Sequence, residues 1–236
     1  MNPRPGFGPR VWAAEFGAYP EGVLALMGPM EVMPLDHADL LWLARQADAP
    51  SEFLAHHLDE AVDPFAATGA HFRLGLCSFK RGPGRLLPVF DGRQVMTTMA
   101  ARNERVAQVA RAVLAEGRED ALYFRPWRDI PRWCEFRVFI RAGVVVGASQ
   151  YHTDRRFPEI VADKPRIADV LRAAVDDLLK VLHVDDIVAD FAVPPALDRQ
   201  ALLLELNPFV RRTGPGLFRW GGGLDGGDFD RTFRTL

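Results

Sequence analysis

Residues 187–207 read Ile-Val-Ala-Asp-Phe-Ala-Val-Pro-Pro-Ala-Leu-Asp-Arg-Gln-Ala-Leu-Leu-Leu-Glu-Leu-Asn, two apolar runs joined by a polar loop. Ile187 to Val193 and Ala201 to Leu206 have the length and composition of strands. Side chains alternate across a strand, so Asp190 shares a face with Val188 and Ala192, and Glu205 shares one with Asn207. Antiparallel pairing about the Pro194 to Gln200 loop sets Asp190 almost opposite Glu205. Two carboxylates then converge on one face of an apolar sheet, with an amide one step away. Like charges that close repel, and burying them is costly unless a cation neutralises them. A few hard oxygen ligands of this kind suit Mg²⁺ that also rests on substrate phosphates. Spacing alone leaves a second reading open, in which Asp190 and Glu205 are solvent-facing positions on half-exposed strands.

Upstream, Glu135 to Gln150 reads as a β-hairpin turning at Ala142-Gly143. Glu135, Arg137, Phe139 and Arg141 share one face, and Phe136, Val138 and Ile140 the other. The two-residue turn sets Arg137 near Ala148 and Glu135 near Gln150. Guanidinium forks suit phosphate oxygens, and a solvated cross-strand Glu–Arg network is the competing reading. Arg73 and Lys80 flank Gly75-Leu-Cys-Ser78 and offer further cations on a strand and its following loop.

The rest of the chain supplies the scaffold. The stretch to about Pro34 is broken by Pro and Gly and predicts short strands or an arm packed on the surface. Asp36 to Ala47 predicts a helix capped by Asp36, with Leu40, Leu43 and Ala44 on one face. A second helix is capped by Ser51 and carries Leu54, His57, Leu58 and Ala61. His71 to Lys80 begins as a strand and runs into the loop Arg81-Gly-Pro-Gly84. Leu86 to Phe90 and Gln94 to Thr98 predict a strand pair turning at Asp91-Gly92. Val106, Val109, Ala110, Val113 and Leu114 mark a helix ending before Gly117, and Ala121 to Arg125 a short strand. The longest amphipathic helix carries Ile167, Val170, Leu171, Ala174, Leu178 and Leu182. The tail from Gly221 is glycine-rich and reads as loose. The order of elements predicts α+β lobes with antiparallel sheets rather than a regular βαβ wind.

Composition narrows the function classes. The chain has 236 residues, 48% hydrophobic and 25% charged, enough for one large domain or two compact lobes. Its 29 basic against 31 acidic side chains give a formal net charge of −2, so a nucleic-acid partner is not expected. The first ten residues lack the apolar segment of a secretory signal, and no apolar run approaches the roughly 20 residues that cross a bilayer. A cytoplasmic protein with no membrane partner is expected, and Cys77 and Cys134 are expected to be buried thiols. Gly82-Pro-Gly84 lacks the Lys-Ser/Thr that completes a P-loop. The six histidines show no ligand spacing.

An ordered series of motifs makes the chain resemble the ATP-grasp superfamily and, within it, the cell-division-cycle protein 123 family and its bacterial relatives. The series is Arg125-Pro-Trp127, Glu135-Phe-Arg-Val-Phe-Ile-Arg141, Gly147-Ala-Ser-Gln-Tyr151, Val188-Ala-Asp190, Leu204-Glu-Leu-Asn-Pro-Phe209 and Thr213-Gly-Pro-Gly-Leu-Phe-Arg-Trp220. The resemblance covers about residues 72–220 and implies an ATP-grasp fold, two α+β lobes enclosing a nucleotide cleft. It implies an N-terminal region and N-lobe over residues 1–120, a C-lobe with the metal site over 121–220, and a tail over 221–236. Asp190, Glu205 and Asn207 become Mg²⁺ ligands. Arg73 and Lys80 become N-lobe cations for the phosphates of ATP, and Arg125, Arg137 and Arg141 candidates in the C-lobe. Gln150 is placed near the nucleotide or metal, and the adenine near Leu122 to Trp127. Glu205 stands where the eukaryotic proteins often have aspartate, and no lysine stands near Met96 to Met99 where the family pattern expects one.

The resemblance implies two functions. One is an ATP-dependent carboxylate–amine ligase acting through an acyl phosphate, with Arg137 and Lys80 stabilising the moving phosphate and a small-molecule or peptide carboxylate as substrate. The other is a nucleotide-dependent assembly chaperone for a client protein, as in the eukaryotic proteins that assemble translation initiation factor 2.

Overall fold

The computed structural model describes residues 7–80, 87–196, 200–221 and 227–236. The loop from Arg81 to Gly84, the start of the chain and the centre of the glycine-rich tail lie outside them. In chain order the described elements are α1 (Pro9–Trp12), α2 (Glu21–Met27), β1 (Glu31–Leu35), α3 (His37–Leu43), α4 (Glu52–Val62), β2 (Ala70–Leu74), α5 (Gly92–Ala100), α6 (Glu104–Ala115) and β3 (Asp120–Pro126). They continue with β4 (Glu135–Arg141), β5 (Val144–Gln150), α7 (Pro158–Val181), β6 (Ile187–Ala192), β7 (Leu202–Pro208) and β8 (Phe233–Arg234). The chain forms two compact units. The first holds residues 1–8, 15–17 and 29–128, the second 9–14, 18–28 and 129–236. β3 belongs to the first unit, which runs through to Arg128.

In the first unit an antiparallel sheet runs β1-β3-β2, with β3 in the middle. Phe72 stacks on Phe79 and Phe124 at 4.8 and 5.7 Å, and Leu74 and Leu122 are fully buried beside them. The helices begin where their caps predict. Asp36 and Asp39 form a reciprocal capping box at α3, and Ser51 accepts the Leu54 N–H at α4. Asp39 is fully buried and its Oδ1 also accepts the Ser51 N–H at 2.8 Å, fixing the two helix starts together. Val106, Val109, Ala110 and Val113 form the buried face of α6.

One expectation in this unit is overturned. The second strand predicted after Asp91-Gly92 is a helix, α5, and of the first, whose Leu86 lies outside the described residues, Val89 alone among the described residues pairs, as an isolated bridge to Ala70. Asp91 caps the helix by accepting the Gln94 N–H at 2.7 Å. Val95, Thr98 and Met99 then fall on one buried face, a spacing that a nine-residue window hardly separates from strand alternation. Gly92 serves close approach and not a hairpin turn, since a Cβ there would lie 2.8 Å from Leu58 Cβ and 2.9 Å from Asp59 N.

In the second unit the sheet runs β7-β6-β4-β5-β8, antiparallel except for β5 with β8. Ala142 and Gly143 both have positive φ, as the two-residue turn between β4 and β5 requires. A bulge between Phe139 and Ile140 then shifts the register by one residue, so Arg137 faces Ser149 and Phe136 faces Gln150. The predicted Arg137–Ala148 and Glu135–Gln150 pairings are corrected accordingly. The long helix α7 carries Ile167, Leu171, Ala174 and Leu178 in the core and breaks at Asp163, two residues before Pro165.

The two ends of the chain also depart from their sequence readings. Of the stretch to about Pro34, β1 supplies the expected short strand, but residues 7–30 are not a surface arm. They form α1 and α2, and Trp12, Tyr19, Val23 and Met27 are buried in the second unit. Helices of four and seven residues are too short to show their period. The Tyr19 hydroxyl lies 3.1 Å from the Leu206 carbonyl and accepts the Leu206 N–H at 3.0 Å, completing the hydrogen bonds of β7 at that position. The tail is not uniformly loose. Phe229 packs on Phe139, Phe209 and Phe218, and Phe233–Arg234 adds strand β8.

Candidate functional site

Strands β4, β6 and β7 bring three charged residues into one row. Arg137 faces Asp190 across the β4–β6 pair, and Asp190 faces Glu205 across β6–β7. Asn207 faces Val188 and so falls on the same side of the sheet, two residues from Glu205. Central strands buried on both faces would ordinarily be apolar, and every residue of β6 from Ile187 to Ala192 is buried. Asp190 is the one charged residue among them.

The geometry is that of a tight polar cluster. Arg137 donates from Nε to Asp190 Oδ1 and from Nη2 to Oδ2, both at 2.7 Å. Its Nη1 donates to the Gly214 carbonyl at 2.8 Å, and the guanidinium lies 4.8 Å from the centre of the Tyr151 ring. Asn207 Nδ2 donates to Asp190 Oδ2 at 3.0 Å and to Glu205 Oε1 at 3.3 Å. Asp190 is 3% exposed and Arg137 8%, whereas Glu205 and Asn207 are half-buried. Burial pushes the Asp190 carboxyl up, the facing Glu205 adds to that, and the Arg137 fork opposes it. Asp190 in turn holds the Arg137 guanidinium charged against its own burial. Two short charge-assisted hydrogen bonds mark an ionised pair.

The closing motif builds the roof of this cluster. Thr213 Oγ1 donates to the Pro208 carbonyl at 2.6 Å, and Trp220 Nε1 to the Thr213 carbonyl at 2.8 Å. Gly216 has φ +61° and sits where a Cβ would meet Ser149 Oγ at 2.6 Å. Phe218 is anchored against Phe139, ring centres 5.4 Å apart. These contacts hold the Gly214 carbonyl over Arg137. Gly214 and Tyr151 lie in motifs quoted above, but their contacts with Arg137 come from loop packing that no periodicity encodes.

The other predicted residues stand outside this row of strands. Gln150 is buried and committed to backbone, donating to the carbonyls of His152 and Arg155 and accepting the Leu236 N–H. Arg141 stands at the exposed end of the hairpin. Arg73, Lys80 and Arg125 belong to the first unit. Arg73 is 3% exposed, with its guanidinium 4.1 Å from the centre of the Phe16 ring and its Nε donating to the Leu74 carbonyl at 3.0 Å. Arg125 lies 5.5 Å from the same ring. Lys80 lines a cavity of about 360 Å³ with Ser78, Arg102, Asn103, Glu104 and Arg105. Leu122 and Phe124 are packed in that unit's core. Cys77 and Cys134 are buried free thiols, as expected.

Asp190, Glu205 and Asn207 put two carboxylates and an amide on this face. Among the described residues no three acidic, histidine or cysteine side chains cluster as a metal site. The donor set fits a hard cation that takes its remaining ligands from phosphate and water, since Mg²⁺ keeps few protein ligands. Asn207 presently turns its NH₂ to both carboxylates, so its oxygen becomes a ligand only after the amide rotates.

Comparison with known proteins agrees with the motif series. The D123 family profile matches residues 95–229, more than half of the 236. The chain belongs to the D123 family. Cell division cycle protein 123 of Eremothecium gossypii is 38% identical over 104 residues, covering 42% of this chain and 28% of that protein. A translation initiation factor eIF2 assembly protein of Vanderwaltozyma polyspora is 33% identical over 101 residues, covering 42% and 27%. The matched stretch thus spans little more than a quarter of either relative. Cdc123 from Schizosaccharomyces pombe superposes with a TM-score of 0.78 at 15% identity, covering 99% of this chain and 100% of that one, so the two share a fold. The α+β class with antiparallel sheets is as the sequence predicts. Among the described residues no helix is long and apolar enough to cross a membrane.

Proposed function

We propose that this chain binds Mg²⁺-ATP on the acidic face of its second unit and acts as a nucleotide-dependent assembly factor for a client protein. The observation that carries the reading is the row Arg137–Asp190–Glu205 with Asn207 beside it, all inside the stretch matched by the D123 family. Asp190, Glu205 and Asn207 would hold the metal, which neutralises phosphate charge when bound. Arg137 would bind phosphate oxygens through its fork. The family resemblance to ATP-grasp proteins supports the choice of ATP.

The name of the Vanderwaltozyma polyspora relative, a translation initiation factor eIF2 assembly protein, favours assembly over ligation. A client of that class, a translation initiation factor, is the partner this likeness supports. A carboxylate–amine ligase uses the same binding groups, so turnover decides between the two. Purified chain is incubated with Mg²⁺-ATP, alone and with pooled amino acids and peptides, and released phosphate is measured. ATP binding without acceptor-dependent release supports the assembly factor, and acceptor-dependent release overturns it in favour of the ligase.

A further inference from the structure

We infer that Arg137 fills the cation's place beside Asp190 until a nucleotide arrives, so that the acidic face takes a divalent metal as part of a metal–phosphate complex and not as a bare ion. This rests on the Mg²⁺-ATP reading above and specifies how that site is filled. Both Asp190 oxygens already accept a short N–H from the guanidinium, and Asn207 adds a third donor. These donors take up about three of the carboxylate's four acceptor positions, so a bare cation entering beside Asp190 either displaces one of them or sits against the guanidinium charge. The displaced guanidinium is then a buried charge without its partner, next to a second positive charge.

A phosphate-bearing ligand removes that obstacle. It supplies the anion that the freed Arg137 fork binds, and guanidinium matches phosphate as well as carboxylate. The arginine is meanwhile steadied by contacts that do not involve the acid, the Gly214 carbonyl at 2.8 Å and the Tyr151 ring at 4.8 Å. The same exchange frees the Asn207 amide to rotate, because its NH₂ loses its carboxylate acceptors to the metal. Metal and nucleotide are therefore coupled through one side chain, and each raises the other's affinity.

The probe is Mn²⁺ without nucleotide, followed through the paramagnetic signal of the free ion. Arg137→Met is expected to bind Mn²⁺ about ten-fold more tightly than wild type, because Asp190 has lost its internal counter-charge. Equal or weaker binding by a folded variant overturns the inference. Since that variant removes a buried partner and can unfold, wild type is also observed directly through the Arg137 Nε–H resonance. It should stay in place with millimolar Mg²⁺ alone and move when ADP is added with Mg²⁺. Movement with Mg²⁺ alone, or none with saturating Mg²⁺-ADP, overturns it as well. If wild type binds no nucleotide, the Mg²⁺-ATP reading falls by itself, while the Mn²⁺ comparison still tests whether Arg137 keeps bare cations out.

Discussion

Arg137 and Asp190 face each other on neighbouring strands and are joined by two hydrogen bonds of 2.7 Å in a setting almost closed to water. The pair joins β4 to β6, a strand whose other residues are all apolar. Its charges balance, and its remaining contacts, to Gly214, Asn207 and Tyr151, tie the closing loop, β7 and β5's end to β4 and β6.

Breaking this pair from one side should be costly. Arg137→Met leaves Asp190 buried without its partner and is expected to lower unfolding stability by about 3–5 kcal/mol. The double variant Arg137→Met, Asp190→Asn should recover a large part of that loss, because no charge is then stranded. Urea unfolding of wild type, both single variants and the double variant closes the cycle. Additive losses would mean that the two side chains do not act as a pair.

Tyr19→Phe removes one hydroxyl that serves both the N–H and the carbonyl of Leu206. The buried N–H is left without its acceptor, at a cost of about 1–3 kcal/mol. Thermal unfolding should show this loss with the ring packing unchanged. A silent substitution would argue against the contact between Tyr19 and β7.

Gly147→Ala should be destabilising by about 1–3 kcal/mol through overpacking. A Cβ at Gly147 meets the Phe218 ring at 2.5 Å, and that ring is wedged among Phe139, Phe229 and the Arg234 guanidinium. Pairing it with Phe218→Leu should restore part of the stability, which chemical denaturation would register as coupling between the two sites.

The acidic row was legible because strand alternation has a fixed period and the loop between β6 and β7 sets their register. Asp190 almost opposite Glu205 follows from those two facts, and a register shift between Asp190 and Phe191, which the sequence does not show, completes the pairing. What escaped had physical reasons. The bulge after Phe139 moved Arg137 from Ala148 to Ser149, and a bulge leaves little trace in an apolar run. The sequence of α5 also reads as the second strand of a hairpin, because Asp91-Gly92 is both a common hairpin turn and an N-cap followed by a close-packed glycine. α1 and α2 were too short to show a helical period. Arg73 stood out as an available cation, but its position on β2 turns it inward onto Phe16, which sequence spacing could not foretell.

Asp120 gives the first unit a pH dependence. Its Oδ1 accepts the Gly75 and Ala121 N–H groups, and its buried Oδ2 has no partner among the described residues. Burial pushes the carboxyl from its ordinary 3.8 up to about 7, with Glu15 adding to the rise. Between those values the folded chain holds a proton that the unfolded chain has released, so stability falls as pH rises through that window. Asp120→Asn cannot titrate. It should therefore lose less stability than wild type between about pH 5 and about pH 8, by about 1 kcal/mol or more. Urea midpoints at the two pH values test this, and equal declines would contradict it.

The most direct test of the central claim is a calorimetric titration of ATP into the chain, with Mg²⁺ and then with chelator, for wild type, Glu205→Gln and Asn207→Ala. Both positions are half-buried, so their substitution need not strand a buried charge. The account predicts Mg²⁺-dependent binding by wild type, weakened about ten-fold or more in each variant, since each loses a direct ligand of the metal. ATP binding that ignores Mg²⁺ and both substitutions, or no binding by wild type, would contradict it.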